Sequence, residues 1–234
     1  MELELPHPRV LWVTAVVMDV FFAAFPDAVF EPAELAEEIG TATVVTGGRL
    51  DHEDCAGNWF ALIRYPGDRA VLFGWDRCNT VWDQPYDPRS DAPEWVRAVE
   101  LRTHHPRVLT ADSISFVRWW EHGSWHSTPT ELEDGLDLCL GECAYDNRLR
   151  TLAKDAHAAA VHTSYDDDTG EVLDHVSLDD LNQLADAAGR YEVTERHLEI
   201  LAPEVARAAY EYFSQAGMVS GAPEPVELLP GTTQ

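Results

Sequence analysis

The longest apolar run in the chain covers residues 10–25, introduced by His7-Pro8 and closed by Pro26. A proline just ahead of such a run suits the first turn of a helix, where its missing N–H is not needed. The run is apolar on nearly every side, so it predicts a buried helix. Its Val-rich first half fits a central strand equally well, and periodicity does not separate the two. Residues 31–39 read as a short helix, with Pro32 at its start and Gly40 as its stop.

The pattern then turns strand-like. Residues 41–46 are β-branched and end at Gly47-Gly48. Residues 59–65 and 70–75 flank Pro66-Gly67-Asp68, which predicts a β-hairpin. Residues 79–82 extend the sheet. Residues 84–93 hold three prolines and read as a surface loop, and 94–103 as a short helix. Residues 113–121 form a further strand, with Trp125-His126 on its return partner after a turn at Gly123.

Helical signals dominate afterwards. Thr128-Pro129-Thr130-Glu131 has capping-box spacing, and Leu132, Leu136, Leu140 and Cys143 then fall on one helical face. Residues 149–157 form another helix. Residues 159–165 and 171–176 flank Asp166-Asp167-Asp168-Thr169-Gly170 as a second hairpin. Ser177 with Asp180 caps a helix that runs through Ala188 and stops at Gly189. Residues 203–216 carry Val205, Ala208, Ala209, Tyr212 and Phe213 on one face and stop at Gly217.

The order of helices, strands and helices predicts an α+β fold: a central, mostly antiparallel sheet with N-terminal helices and a helix-rich C-terminal half. A seam at Tyr145-Asp146-Asn147 divides residues 1–146, which carry the main sheet, from a helix-rich region with a hairpin over 147–220. The two are expected to pack as one globular unit, and 221–234 forms an extended tail.

Charge narrows the partners. The chain has 42 Asp and Glu against 16 Lys and Arg, a formal net charge of −26, and every base but Lys154 is Arg. No basic footprint for DNA or RNA is present, and anionic membrane surfaces are disfavoured for the same reason. A basic protein is the expected partner, drawn in by long-range steering. The competing reading is that the charge serves solubility or salt adaptation alone. Oligomeric state is left open.

Glu2 and Glu4 stand where a secretion signal carries positive charge. The run over 10–25 is shorter than the roughly 20 residues of a spanning helix and is interrupted by Asp19. The four cysteines, Cys55, Cys78, Cys139 and Cys143, form no Cys-x-x-Cys pair. Together these predict a cytoplasmic protein with reduced thiols.

The densest chemical cluster is Trp119-Trp120-Glu121-His122, followed by Ser124-Trp125-His126. Adjacent tryptophans on a strand point to opposite faces, so one is free to anchor a ligand or partner while the other fills the core. Trp119, Trp120, His122, Trp125 and His126 are the candidate contacts. The competing reading buries both adjacent tryptophans by packing. His122 and His126 would share a face on a helix, but Gly123 and the strand pattern oppose one. His104, His105 and Asp112 would join them only through the fold, and no metal site is predicted.

Asp166 to Gly170 lacks the calcium-loop pattern, since Glu171 falls sixth and Ser177 twelfth. No nucleophile elbow, P-loop or dinucleotide fingerprint occurs, so no catalytic residue and no cofactor is assigned. The sequence therefore predicts a non-enzymatic acidic protein that binds a basic protein surface, of the inhibitor or immunity type. The alternative is a small-ligand-binding protein or hydrolase with a Trp/His-lined pocket near residues 104–126.

Overall fold

Six strands follow one another in sequence order as a single antiparallel meander: β1 (Thr43–Thr46), β2 (Arg49–Glu53), β3 (Trp59–Tyr65), β4 (Arg69–Trp75), β5 (Phe116–Glu121) and β6 (Ser124–Ser127). Helices surround this block in sequence: α1 (Pro8–Ala24) before it, the single turn α2 (Glu94–Arg97) within it, and α3 (Leu136–Leu140), α4 (Arg148–Thr163), α5 (Leu178–Arg190), α6 (Glu195–Leu198) and α7 (Pro203–Gln215) after it. The fold is α+β, as the sequence predicts. The computed structural model describes residues 5–25, 42–54, 57–78, 86–108, 112–140, 143, 148–163, 176–223 and 225–227. The helix expected over 31–39, the extension over 79–82 and the turn over 166–170 lie outside the described residues.

The chain forms two compact units. The first holds Met1–Trp12, Ala42–Ala144 and Pro225–Gln234; the second holds Val13–Thr41 and Tyr145–Glu224. Helix α1 contributes its first turn to the first unit and its remainder to the second. Pro8 is its first residue, and Leu11 to Phe21 are buried almost without interruption, which settles the helix-or-strand ambiguity of this run. Among the described residues, no helix is long and apolar enough to cross a membrane.

In the first unit, the hairpin of β3 and β4 forms as its turn chemistry demands, with Gly67 and Asp68 at φ of 79° and 54°. Its register pairs Ala61 with Phe73 and Ile63 with Val71. One face of the sheet buries Trp59, Phe73, Val117 and Trp119 under Val96, Val99, Leu101 and Ile114. Strand β2, Arg-Leu-Asp-His-Glu, was not expected from sequence. All five of its residues are buried, so its polar side chains find partners inside the unit.

Helix α2 is one turn rather than the helix expected over 94–103. The chain beyond it is drawn out to satisfy a buried carboxylate. Thr103 Oγ1 and the His104 amide each donate to Asp51 Oδ1 at 3.0 Å, and Arg49 donates to the Arg102 carbonyl. Leaving Asp51 without these donors would cost more than a second helical turn returns.

The capping box at Thr128 is also not used. Its hydroxyl donates to the Pro88 carbonyl at 3.0 Å and accepts from the Asp91 amide. Thr130 and Asp134 instead receive the Leu132 and Leu136 amides, local bonds that compete with helix formation. The helix therefore starts only at Leu136, although Leu136 and Leu140 are buried as expected.

The second unit is built from helices. Residues 159–163, expected as a strand of the second hairpin, instead complete α4, where the Ala-rich run favours helix and buries Ala156, Ala159 and Ala160. The Ser177 cap forms, its Oγ accepting the Asp180 amide at 3.1 Å. Helix α5 continues through Gly189 to Arg190 and ends on Tyr191 in the left-handed conformation. Helix α7 begins at Pro203 and buries Ala209, Tyr212 and Phe213. A parallel bridge pairs Val193 with Val219.

Candidate functional site

The hairpin of β5 and β6 carries the aromatic cluster. Its two-residue turn, His122-Gly123, holds both residues at positive φ, 55° and 79°, as a type I′ turn requires. Strand alternation then sends Trp119 and Trp120 to opposite faces, and both are largely covered, at 6% and 9% exposure. Trp119 belongs to the core. The His126 ring stacks on it at 6.0 Å and 22°, with Ser124 Oγ 3.1 Å from His126 Nε2. His122 sits exposed at the turn.

On the other face, three rings pack edge to face. The His7 ring lies 4.7 Å from Trp120, and Trp120 lies 5.6 Å from Trp125. Trp120 Nε1 donates to Asp68 at 3.2 Å and Trp125 Nε1 to the Pro6 carbonyl at 2.7 Å. With both indole donors engaged, the part of Trp125 left uncovered offers ring surface rather than polarity.

A cleft of about 1270 Å³ opens beside these rings. Among the described residues, four carboxylates line it, Asp76, Glu133, Asp134 and Asp137, against one guanidinium, Arg118. That guanidinium is held by Asp134, Nη2 to Oδ2 at 2.6 Å. Gly135, at φ 77°, packs so closely on Asp76 that a Cβ there would lie 2.1 Å from the Asp76 Cβ. Glu133 and Asp137 are exposed, and Leu138 at the rim is 57% exposed. The volume is above the roughly 300–1,000 Å³ of ordinary small-molecule pockets, so it is large enough to admit a segment of chain. Its electrostatics favour a cation, which the uncovered part of the Trp125 ring also attracts.

A second polar cluster lies at β2. Asp51 accepts Arg49 Nε and Nη2 at 2.7 and 2.8 Å besides Thr103 and the His104 amide. His105 is buried nearby, its amide bonded to Thr103 Oγ1 at 3.0 Å. His52 Nδ1 is 2.9 Å from Thr43 Oγ1, and burial pushes its imidazole down to about 4, with Asp54 opposing and His105 adding to the shift. These groups satisfy one another, as buried polar groups must.

Strands β2 and β6 are four places apart in the sheet, about 19 Å at the usual strand spacing. The fold therefore does not bring His104 and His105 to His126, and Asp112 pairs with Arg102 at 3.8 Å. Among the described residues, no group of three His, Cys, Asp or Glu is placed to hold a metal ion. Burial raises the Cys139 and Cys143 thiols, Cys143 to about 12, so both rest as inert hydrophobes.

Sequence reasoning missed Asp76, Arg118, Glu133, Asp134 and Asp137 as parts of this site, because three separate segments supply them. One signal was present: Gly135 interrupts the apolar helical pattern of 128–143. No protein-family model, curated protein or solved structure matches this chain.

Proposed function

We propose that this protein is a non-enzymatic, cytoplasmic binding protein that recognises a basic protein surface through the cleft beside β6, in the manner of an inhibitor or immunity protein. The observation that carries this reading is the joining of Trp120 and Trp125 to four carboxylates and one internally paired Arg in a single large concavity. The net charge of −26 supports it by steering a cationic partner toward the molecule at long range. The aromatic surface then supplies affinity at short range.

The test compares proteins captured from a lysate of the source organism by the native protein and by the Glu133→Gln, Asp137→Asn double variant. Both residues are exposed, and an unchanged circular dichroism spectrum is required of the variant. One basic protein held by the native form, released at moderate salt and lost from the variant is the expected result, because exposed charge attraction is screened within about 8–10 Å. Equal retention by both forms would place recognition elsewhere.

A further inference from the structure

The cleft is lined by every residue from 123 to 130, so consecutive residues of β6, and not alternate ones, border it. A cleft over one face of a strand would touch alternate residues only. On β5 this cleft touches only Arg118 and Trp120, which share one face, whereas on β6 it touches consecutive residues, so it lies over that face and opens around the outer edge of β6. Among the described residues, β6 pairs with β5 alone and ends the sheet.

The backbone groups on that edge follow from the turn. A two-residue hairpin makes its flanking pair, Glu121 and Ser124, mutually hydrogen-bonded, and bonded and non-bonded pairs then alternate. Trp119 and His126 form the next bonded pair. Trp120 with Trp125 and Arg118 with Ser127 are non-bonded pairs. The N–H and C=O of Trp125 and Ser127 consequently point away from β5, along the cleft. Natural edges are blunted by shortness, Lys, Pro, inward charges or bulges; β6 is short at four residues, but Ser-Trp-His-Ser carries no Lys, Pro, Asp, Glu or bulge.

We infer that β6 receives an extended segment of the partner as a seventh strand, paired through Trp125 and Ser127, with Arg or Lys side chains of that segment laid over Trp125 and toward the carboxylates at 133–137. This rests on the proposed binding function and specifies its mode. Main-chain bonds to the edge supply affinity, and alternate side chains in the cleft supply specificity. The charge of the lining selects a basic segment over an acidic one.

Two fluorescein-labelled peptides test it, each of eight residues alternating Arg and Val. One is N-methylated at every second residue on the side that would face β6, which removes the strand donors and leaves the charge intact. Fluorescence anisotropy is expected to show binding of the unmodified peptide and at least about ten-fold weaker binding of the methylated one. Amide hydrogen exchange is expected to slow at Trp125 and Ser127 with the unmodified peptide only. Equal binding of both peptides, or unchanged exchange at these two amides, overturns strand addition while leaving the acidic cleft as the site. Binding of neither peptide overturns both.

Discussion

Arg118 Nη2 lies 2.6 Å from Asp134 Oδ2, tying the central part of β5 to the loop that precedes α3. The two side chains keep only 16% and 10% of their exposure. Asp134 also receives the Leu136 amide, so one carboxylate fixes both the wall of the cleft and the start of a helix. Removing one partner of a buried pair costs about 3–5 kcal/mol, and residual solvent access reduces this. Asp134→Asn is expected to lower stability by about 2 kcal/mol. A fall in the urea midpoint with an unchanged slope is the confirming observation. Unaltered unfolding would show that the pair is dispensable.

Acid is expected to destabilise the first unit through His52. The ordinary imidazole value is 6.5, and burial brings it to about 4. Between those values the unfolded chain binds the proton and the folded chain does not, so stability falls as pH falls from 7 to 4. The shift corresponds to about 3 kcal/mol at full effect. His52→Gln keeps a partner for Thr43 and removes the titration. Urea midpoints measured from pH 7 to pH 4 should decline less in this variant, and parallel declines in both proteins would count against the assignment.

Asp51 holds four donors from Arg49, Thr103 and His104, and is 2% exposed. Asp51→Ala leaves the buried Arg49 without its carboxylate and releases the segment 102–104. A loss of about 3–5 kcal/mol is expected, read by thermal or denaturant unfolding. A loss below about 1 kcal/mol would mean that water replaces the carboxylate freely.

Gly135 tests the cleft wall. Alanine there meets both a positive φ of 77° and the Asp76 side chain. The left-handed conformation alone costs about 1–2 kcal/mol, and the close contact adds to it. Gly135→Ala is expected to destabilise by more than that and to weaken capture of a basic partner by reshaping the concavity. A variant as stable as the native protein would show that this loop adapts.

The two faces of the aromatic hairpin should separate by mutation. Trp119→Ala empties a core position and is expected to cost about 3–5 kcal/mol. Trp125→Ala removes a partly exposed ring and is expected to cost less in stability and more in binding. Calorimetry paired with anisotropy on the Arg–Val peptide distinguishes them, and identical profiles for the two variants would contradict the division.

What the sequence alone determined is local. Pro66-Gly67-Asp68 dictates the turn between β3 and β4, Ser177 with Asp180 starts α5, and Pro203 starts α7, because backbone freedom and short-range hydrogen bonds act over a few residues. The opposite facing of Trp119 and Trp120 follows from strand alternation in the same way. Tertiary structure decided the rest. Strand β2 carries Arg, Asp and His at buried positions, and it is tolerated because Arg49 and Asp51 pair with each other, His52 meets Thr43 on the neighbouring strand, and residues 102–104, some fifty positions away, supply the remaining partners. The Thr128 hydroxyl is claimed by Pro88 and Asp91, so a sound local helix signal yields to a longer-range bond. The cleft gathers Asp76, Arg118 and Asp134 from separate segments. Burial and charge pairing act through space, whereas periodicity and capping are written along the chain.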